Sequence, residues 1–470
     1  MEKKTKYQKM EERLAYKRKF CLEEWDKKKI KASFDFCENY KKFISQSKTV
    51  RTRINYGKNI LQKKGFVEFE KASAKDIQNG KIFFINREKN LLAFDFSEAK
   101  NFEEGFNLIF AHVDSPRLDL KNNPLLESEK MAFFQTHYYG GIKKYQWLTM
   151  PLSLQGNVIL KNGKKQEISI GDDPKDPVFM ITDLLPHLAK TQLEKNAKEF
   201  IEAEKMHLIV GSVPIQDEKI KEKVKLNILK ILNEKYGIIE EDFMTAEIEI
   251  VPTGEARDVG LDRGLVAGYG HDDAVCCYTS LMGFLDKKKN KKPSILFWCD
   301  KEEIGSEGNT SAKSSFFATS FECLAEKLKI KNTKTIFGKS NAISADTSSM
   351  IDPNYTDVYD VRNNAHIGGG IILEKYVGSG GKYYTSDANI EYLGKIRDIL
   401  DKEKIIWQAG TIGKIDIGGG GTLAIYFARL NMDVVDMSIG CLNLHAPWEI
   451  ASKADIYSGF ECYKVFYEKM

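Results

Sequence analysis

Residues 294–308 read Ser-Ile-Leu-Phe-Trp-Cys-Asp-Lys-Glu-Glu-Ile-Gly-Ser-Glu-Gly. Two adjacent carboxylates, Glu302 and Glu303, can divide labour. One binds a cation while the other moves a proton. They follow an apolar run, residues 295–299, that stops at Asp300, and Gly305 and Gly308 come next. Such a run reads as a buried strand. In open α/β sheets ligands bind just beyond the carboxyl ends of strands, which is where this pair would stand. For Asp300-Lys301-Glu302-Glu303 alone, a solvated turn is the alternative. Three further apolar runs end the same way. Residues 106–111 lead into His112 and Asp114, residues 341–345 into Asp346, and residues 435–444 into His445. Imidazole and carboxylate groups at four strand ends are the donors of a zinc site built on N and O.

The elements that must hold these groups alternate strand and helix from residue 258 onward. Ala274, Tyr278, Leu281, Met282 and Leu285 share one helical face, with Asp272 or Asp273 at the N-cap position before it. Residues 82–85, 91–94 and 108–110 read as strands, and Pro116 prevents simple continuation of the last. Residues 1–50 read as helical, with Phe36, Tyr40, Phe43 and Ile44 on one docked face and the lysines in solvent. Residues 121–255 have another texture. Tyr138-Tyr139-Gly140-Gly141 and residues 154–160 read as short antiparallel strands, and Asn162-Gly163 as a hairpin turn. Ile220, Val224, Ile228, Ile231 and Leu232 form a helical stripe. This stretch holds no dense cluster of potential ligands and reads as an inserted domain. Residues 418–421 are four glycines before Thr422. They read either as an anion cradle or as a tight loop.

The bulk numbers exclude several classes. At 470 residues the chain can build two ordinary domains. Its 71 basic and 67 acidic side chains leave a net charge of +4, which argues against nucleic acid as the main partner. No apolar run approaches ~18 residues, so no membrane span is expected. The basic N-terminus lacks the apolar core of a secretory signal. Eight cysteines, none in a Cys-x-x-Cys pair, read as reduced and mostly buried thiols of a cytoplasmic protein.

No one of these residues specifies a site; their order and context do. Ala111-His112-Val113-Asp114-Ser115-Pro116, Gly270-His271-Asp272-Asp273, Asp300-Lys301-Glu302-Glu303-Ile304-Gly305-Ser306, Ser344-Ala345-Asp346 and Leu444-His445-Ala446-Pro447 together resemble the aspartyl aminopeptidase (aminopeptidase I) family of dinuclear-zinc exopeptidases. Gly260-Leu261-Asp262, His137-Tyr138-Tyr139-Gly140-Gly141 and Ser452-Lys453-Ala454-Asp455 extend the resemblance, which runs from about residue 50 to the end.

The resemblance implies an α/β catalytic domain with a mixed central sheet flanked by helices, residues 1–120 and 256–470. A β-rich oligomerisation domain, residues 121–255, would interrupt it. Asp272 would bridge two divalent metal ions, His112 and Asp346 would complete one shell, and Glu303 and His445 the other. Spacing alone leaves Asp272 and Asp273 open as the bridge. Glu302 would be the general base, and Asp114 would orient His112 through the ring's second nitrogen. His271 would be structural. His187 would reach a neighbouring subunit's site in a homododecamer, or else it is a surface histidine on a helix. Zinc is the expected metal, with manganese or cobalt also suited. The substrates would be peptides with a free N-terminus and an acidic or neutral first residue. Lys143, Lys144 and Lys375 are the candidate groups for an acidic one. A dinuclear carboxypeptidase or deacylase, and a catalytically silent oligomeric scaffold, are the rival readings.

Overall fold

Apolar runs in the sequence become the centre of a mixed sheet with helices on both faces. The computed structural model describes residues 4–470. Met1, Glu2 and Lys3, part of the basic N-terminus, lie outside the described residues. The sheet holds thirteen strands among the described residues. At its heart the strands Ser294–Cys299, Asn107–His112, Asn341–Ser344 and Asp433–Leu442 run parallel, and Asn90–Asp95 joins the first of them antiparallel. Parallel strands covered on both faces need apolar residues at every position, which is why these runs show no alternation.

The two faces have different cores. Ile109, Ala111, Leu296 and Trp298 point to one, where the helices Lys27–Gln46, His271–Asp286 and Lys453–Lys469 pack. Phe36 meets Tyr278 and stacks on Phe460 at that junction. Leu108, Phe110, Ile295 and Phe297 point to the other face, where Phe317, Phe321, Phe337 and Phe427 form an aromatic core. The register of the central strands sets where their ends fall. Cys299 pairs with His112, and Ser344 with Phe110. The carboxyl ends of three strands therefore lie side by side, and the chain leaves each of them carrying polar residues.

A second, antiparallel sheet has seven strands among the described residues. Its strands run from Arg117–Ser128 to Ala246–Pro252 in sequence, so residue 121 lies within the first of them. Leu118, Trp147, Leu154 and Ile250 belong to its own apolar cluster. The Asn162-Gly163 turn joins Leu152–Ile159 to Lys165–Ile170, with Gly163 at φ +82. The helix Lys223–Tyr236 carries part of the apolar stripe, but Val224 is its one buried residue and Ile231 is 47% exposed.

One local expectation changes. Neither Asp272 nor Asp273 caps the helix after it. Both lie inside His271–Asp286 with non-helical backbone, and the Asp272–Asp273 peptide is cis. The four glycines 418–421 lie in a loop before a five-residue helix, Ala424–Ala428. A helix at Val50–Lys63 escaped the sequence reading. All eight cysteines are free, and all but Cys323 are buried. No helix among the described residues is long and apolar enough to cross a membrane.

One buried ion pair ties the central sheet to a helix end. Lys287 Nζ lies 2.7 Å from Asp95 Oδ2, and the two side chains are 4% and 12% exposed. Burial alone would raise the Asp95 pKa, but Lys287 and Ser97 hold it below the usual carboxylate range. At Lys287 burial wins, and its pKa is lowered. Asp95→Asn strands a buried ammonium and is expected to cost about 3–5 kcal/mol in urea unfolding. Asp95's share of the stability is present above the unfolded carboxyl pKa of about 3.9 and is lost as pH falls through its lower folded value. The stability difference between parent and variant therefore narrows on acidification. An unchanged unfolding midpoint at pH 7 would refute this role.

Candidate metal centre

Four chain segments leave the carboxyl edge of the central sheet and converge on Asp272. His112 Nε2 lies 3.3 Å from Asp272 Oδ1 and 3.4 Å from Asp346 Oδ1. His445 Nε2 lies 3.4 Å from Asp272 Oδ2 and 3.7 Å from Glu303 Oε2. The two oxygens of one carboxylate thus face two different imidazoles, each with a second carboxylate beside it. Donor atoms of Asp272, Glu303 and His445 lie within 4.8 Å of one another, as do those of His112, Glu302 and Glu303. Asp272 Oδ1 is buried without a hydrogen-bond partner in the protein.

The electrostatics describe a crowd of buried negative charge. Burial pushes Glu302 up to about 8; the charges of Asp346, Asp114 and Asp272 add to this, and His112 opposes it. Burial and the charge of Asp272 raise Glu303 well above the usual range. Burial would lower His112, but Asp114, Asp272 and Asp346 raise it strongly. His445 is pushed up to about 11, chiefly by Asp272 and Glu303 against burial. Asp272 is held low because both imidazoles face it, although burial opposes this. Two imidazoles and three carboxylates in so small a volume call for compensating positive charge. With N and O donors only, that set fits zinc and its divalent neighbours.

The surrounding contacts fix these side chains. Asp114 is expected to orient His112 through the ring's second nitrogen; His112 Nδ1 lies 3.0 Å from the Asp114 backbone oxygen and 3.5 Å from its carboxylate Oδ1. The Asp114 carboxylate accepts the backbone N–H groups of Glu302 and Glu303, each at 3.1 Å. Asp273 accepts the His112 backbone N–H at 3.2 Å, and its donor atoms also lie close to His112 and Asp346. His271 is buried, with Nδ1 2.8 Å from the Tyr40 hydroxyl.

Two partners escaped the sequence reading. Glu449 accepts the backbone N–H of Asp272 at 2.9 Å and that of His445 at 2.8 Å. Arg53, fully buried, donates to the carbonyl oxygens of Val113 at 3.0 Å and Gly270 at 3.2 Å. Glu449 had one readable signal, its place four residues after His445. Arg53 had none.

The centre opens into a cleft of about 700 Å³ that Lys313, Ile412, Ile425, Tyr426 and Arg429 also line. The candidate cations Lys143, Lys144 and Lys375 are not among its lining residues. Lys144 donates to the Lys198 carbonyl, and Lys375 is paired with Asp387. His187 stands on the exposed turn Pro186–Leu188 and does not join the cluster in this chain.

The chain resembles known proteins along nearly its whole length. Residues 43–467 match the family model described as aminopeptidase I zinc metalloprotease (M18). A probable M18 family aminopeptidase 1 from Clostridium acetobutylicum is 45% identical over 452 residues, covering 94% of this chain and 97% of that one. The crystal structure of an M18 aminopeptidase from Thermotoga maritima superposes with a TM-score of 0.93 at 42% identity, over 97% of this chain and 100% of the other. A structure described as a dodecamer of S. cerevisiae mApe1 shares the fold, with a TM-score of 0.75 at 20% identity over 92% of this chain and 96% of that one.

Fold and relatives together define a metal-dependent aminopeptidase, a hydrolase of peptide bonds. Within that class the chain belongs to the aminopeptidase I zinc metalloprotease family, M18.

Proposed function

We propose that Asp272 bridges two divalent cations, that His112 and Asp346 hold one, and that Glu303 and His445 hold the other. The observation that carries this reading is the division of Asp272, whose Oδ1 faces His112 and whose Oδ2 faces His445. Zinc is the first choice, and manganese or cobalt suits the same donors. When bound, such a pair lowers the pKa of a water toward neutrality and polarises a carbonyl. Glu302 is the general base. Its carboxylate takes a proton from the attacking water and passes it to the leaving amine. Asp114 holds the backbone of Glu302 and Glu303, so base and ligand keep a fixed separation.

The substrate is a peptide whose free α-amino group limits cleavage to the first residue. An acidic first side chain would find positive charge at Arg429 and Lys313, and a neutral one would find Ile412 and Ile425. Lys313 is paired with Glu307, whereas Arg429 stands over the Tyr426 ring and is in no ion pair among the described residues, so Arg429 is the better counter-ion. The test is a panel of short peptides differing only at the first residue, each free or acetylated, with zinc, manganese or cobalt. Only free N-termini are expected to be cleaved. Cleavage of acetylated peptides at the far end would instead point to a carboxypeptidase. A ranking with Asp and Glu above Leu and Ala supports the Arg429 assignment, and the reverse overturns it.

Residues 121–255 serve assembly in this reading, as a homododecamer working in the cytoplasm. Leu184, Leu185, Leu188 and Leu193 stand exposed around His187, an apolar patch suited to a second copy. His187 would then reach the neighbouring copy's cleft and stabilise the negative charge developing on the carbonyl oxygen.

A further inference from the structure

Three consecutive residues at the end of a strand of the second sheet touch three parts of the metal centre. Tyr139 closes the strand Met131–Tyr139, and its hydroxyl donates to Asp114 Oδ2 at 2.9 Å. That oxygen also accepts the Glu303 backbone N–H, and Oδ1 of the same carboxylate accepts the Glu302 N–H. Gly140, at φ +74, backs onto Glu303. A Cβ there would lie 3.2 Å from Glu303 Oε2 and 3.3 Å from Glu303 Cβ. Gly141 offers its carbonyl oxygen to His445 Nδ1 at 2.8 Å. An acceptor on Nδ1 fixes the proton there and leaves the Nε2 lone pair free to bind a cation.

The segment is itself anchored. The Arg117 guanidinium lies 3.8 Å from the centre of the Tyr139 ring. Arg117 is the cross-strand partner of Tyr139, and its Nε lies 2.8 Å from Asp119 and 3.3 Å from Glu249, all within the second sheet. The Tyr139 ring is thus held before its hydroxyl meets Asp114.

We infer that Tyr139-Gly140-Gly141 is a positioning segment through which the second sheet sets the Glu302–Glu303 backbone and the His445 ring. The inference rests on the reading in which Glu303 and His445 hold metal. It makes the second sheet part of the catalytic apparatus of its own chain, whatever its role in assembly.

The test uses the full chain stripped of metal and titrated with Co²⁺, followed by visible absorption. Tyr139→Phe keeps the ring on Arg117 and removes only the hydroxyl. Co²⁺ affinity is expected to fall about 10–100-fold, the range for partners that orient ligands. kcat at saturating Co²⁺ should fall while KM stays within about two-fold, since substrate contacts are untouched. Tyr138→Phe, on the exposed neighbour, should change neither. Gly140→Ala presses a methyl group on Glu303 and should alter the Co²⁺ spectrum. Parental affinity and spectrum in both Tyr139→Phe and Gly140→Ala would overturn the inference, and the Gly140→Ala spectrum decides if Tyr139→Phe fails to fold. His445→Ala separates the two levels. If it keeps full Co²⁺ binding, the ligand reading itself fails. If it loses binding while the other two variants keep theirs, only the positioning role fails.

Discussion

Glu302→Gln is expected to keep its metal and lose its turnover. The substitution preserves the shape of the side chain and leaves the backbone N–H that Asp114 holds at 3.1 Å. It removes the one property the proposed role needs, a carboxylate that can accept a proton. General-base contributions run to about 10²–10⁴-fold in rate, so kcat should fall by that factor with KM little changed. Elemental analysis of the purified variant should return the parental metal content. A kcat within about ten-fold of the parent would remove Glu302 from this role. Loss of metal along with activity would make Glu302 a ligand instead.

The second large effect concerns Asp272. Asp272→Asn retains the volume and removes the charge shared between His112 and His445. Metal affinity should fall by more than the ~10–100-fold typical of partners that only orient ligands. Both equivalents should be lost together, because the bridge belongs to both. Asp273→Asn is the matched control. Asp273 is just as buried, but its Oδ2 accepts the His112 backbone N–H. It should retain the parental stoichiometry at saturating metal. The reverse pattern, with Asp272→Asn metallated and Asp273→Asn empty, would transfer the bridge to Asp273, whose donors also lie near His112 and Asp346.

That contrast marks where the sequence could be read and where it could not. His112, Glu303 and Asp346 were legible because strands buried on both faces make unbroken apolar runs. A polar residue at the end of such a run is conspicuous. Asp272 and Asp273 were not separable, since both sit where a helix begins and differ only in where their oxygens point. The helix Val50–Lys63 was hidden by Gly57. It lies on the buried stripe with Val50, Ile54 and Leu61, but the stripe there has no side chain. A Cβ at Gly57 would come within 2.5 Å of the Trp298 ring, so the position is filled from the sheet. Arg53, on the same helix, reaches Val113 and Gly270, and Glu449 reaches Asp272, all far away in sequence, and no local pattern encodes those contacts. Lys313 and Arg429 enter the cleft by tertiary placement alone, in a chain where 71 of 470 residues are basic.

The scatter of the donors along the chain governs how the enzyme comes into being. His112, Asp272, Glu303, Asp346 and His445 share no neighbourhood until the parallel strands are in register, and the last of them arrives near the C-terminus. Pairings so distant in sequence form late, because loop closure must precede the contacts that reward it. In the proposed assignment a fragment ending before residue 445 lacks the His445 donor, so its ligand set is incomplete. Under that assignment cation uptake would follow the closing of the central sheet.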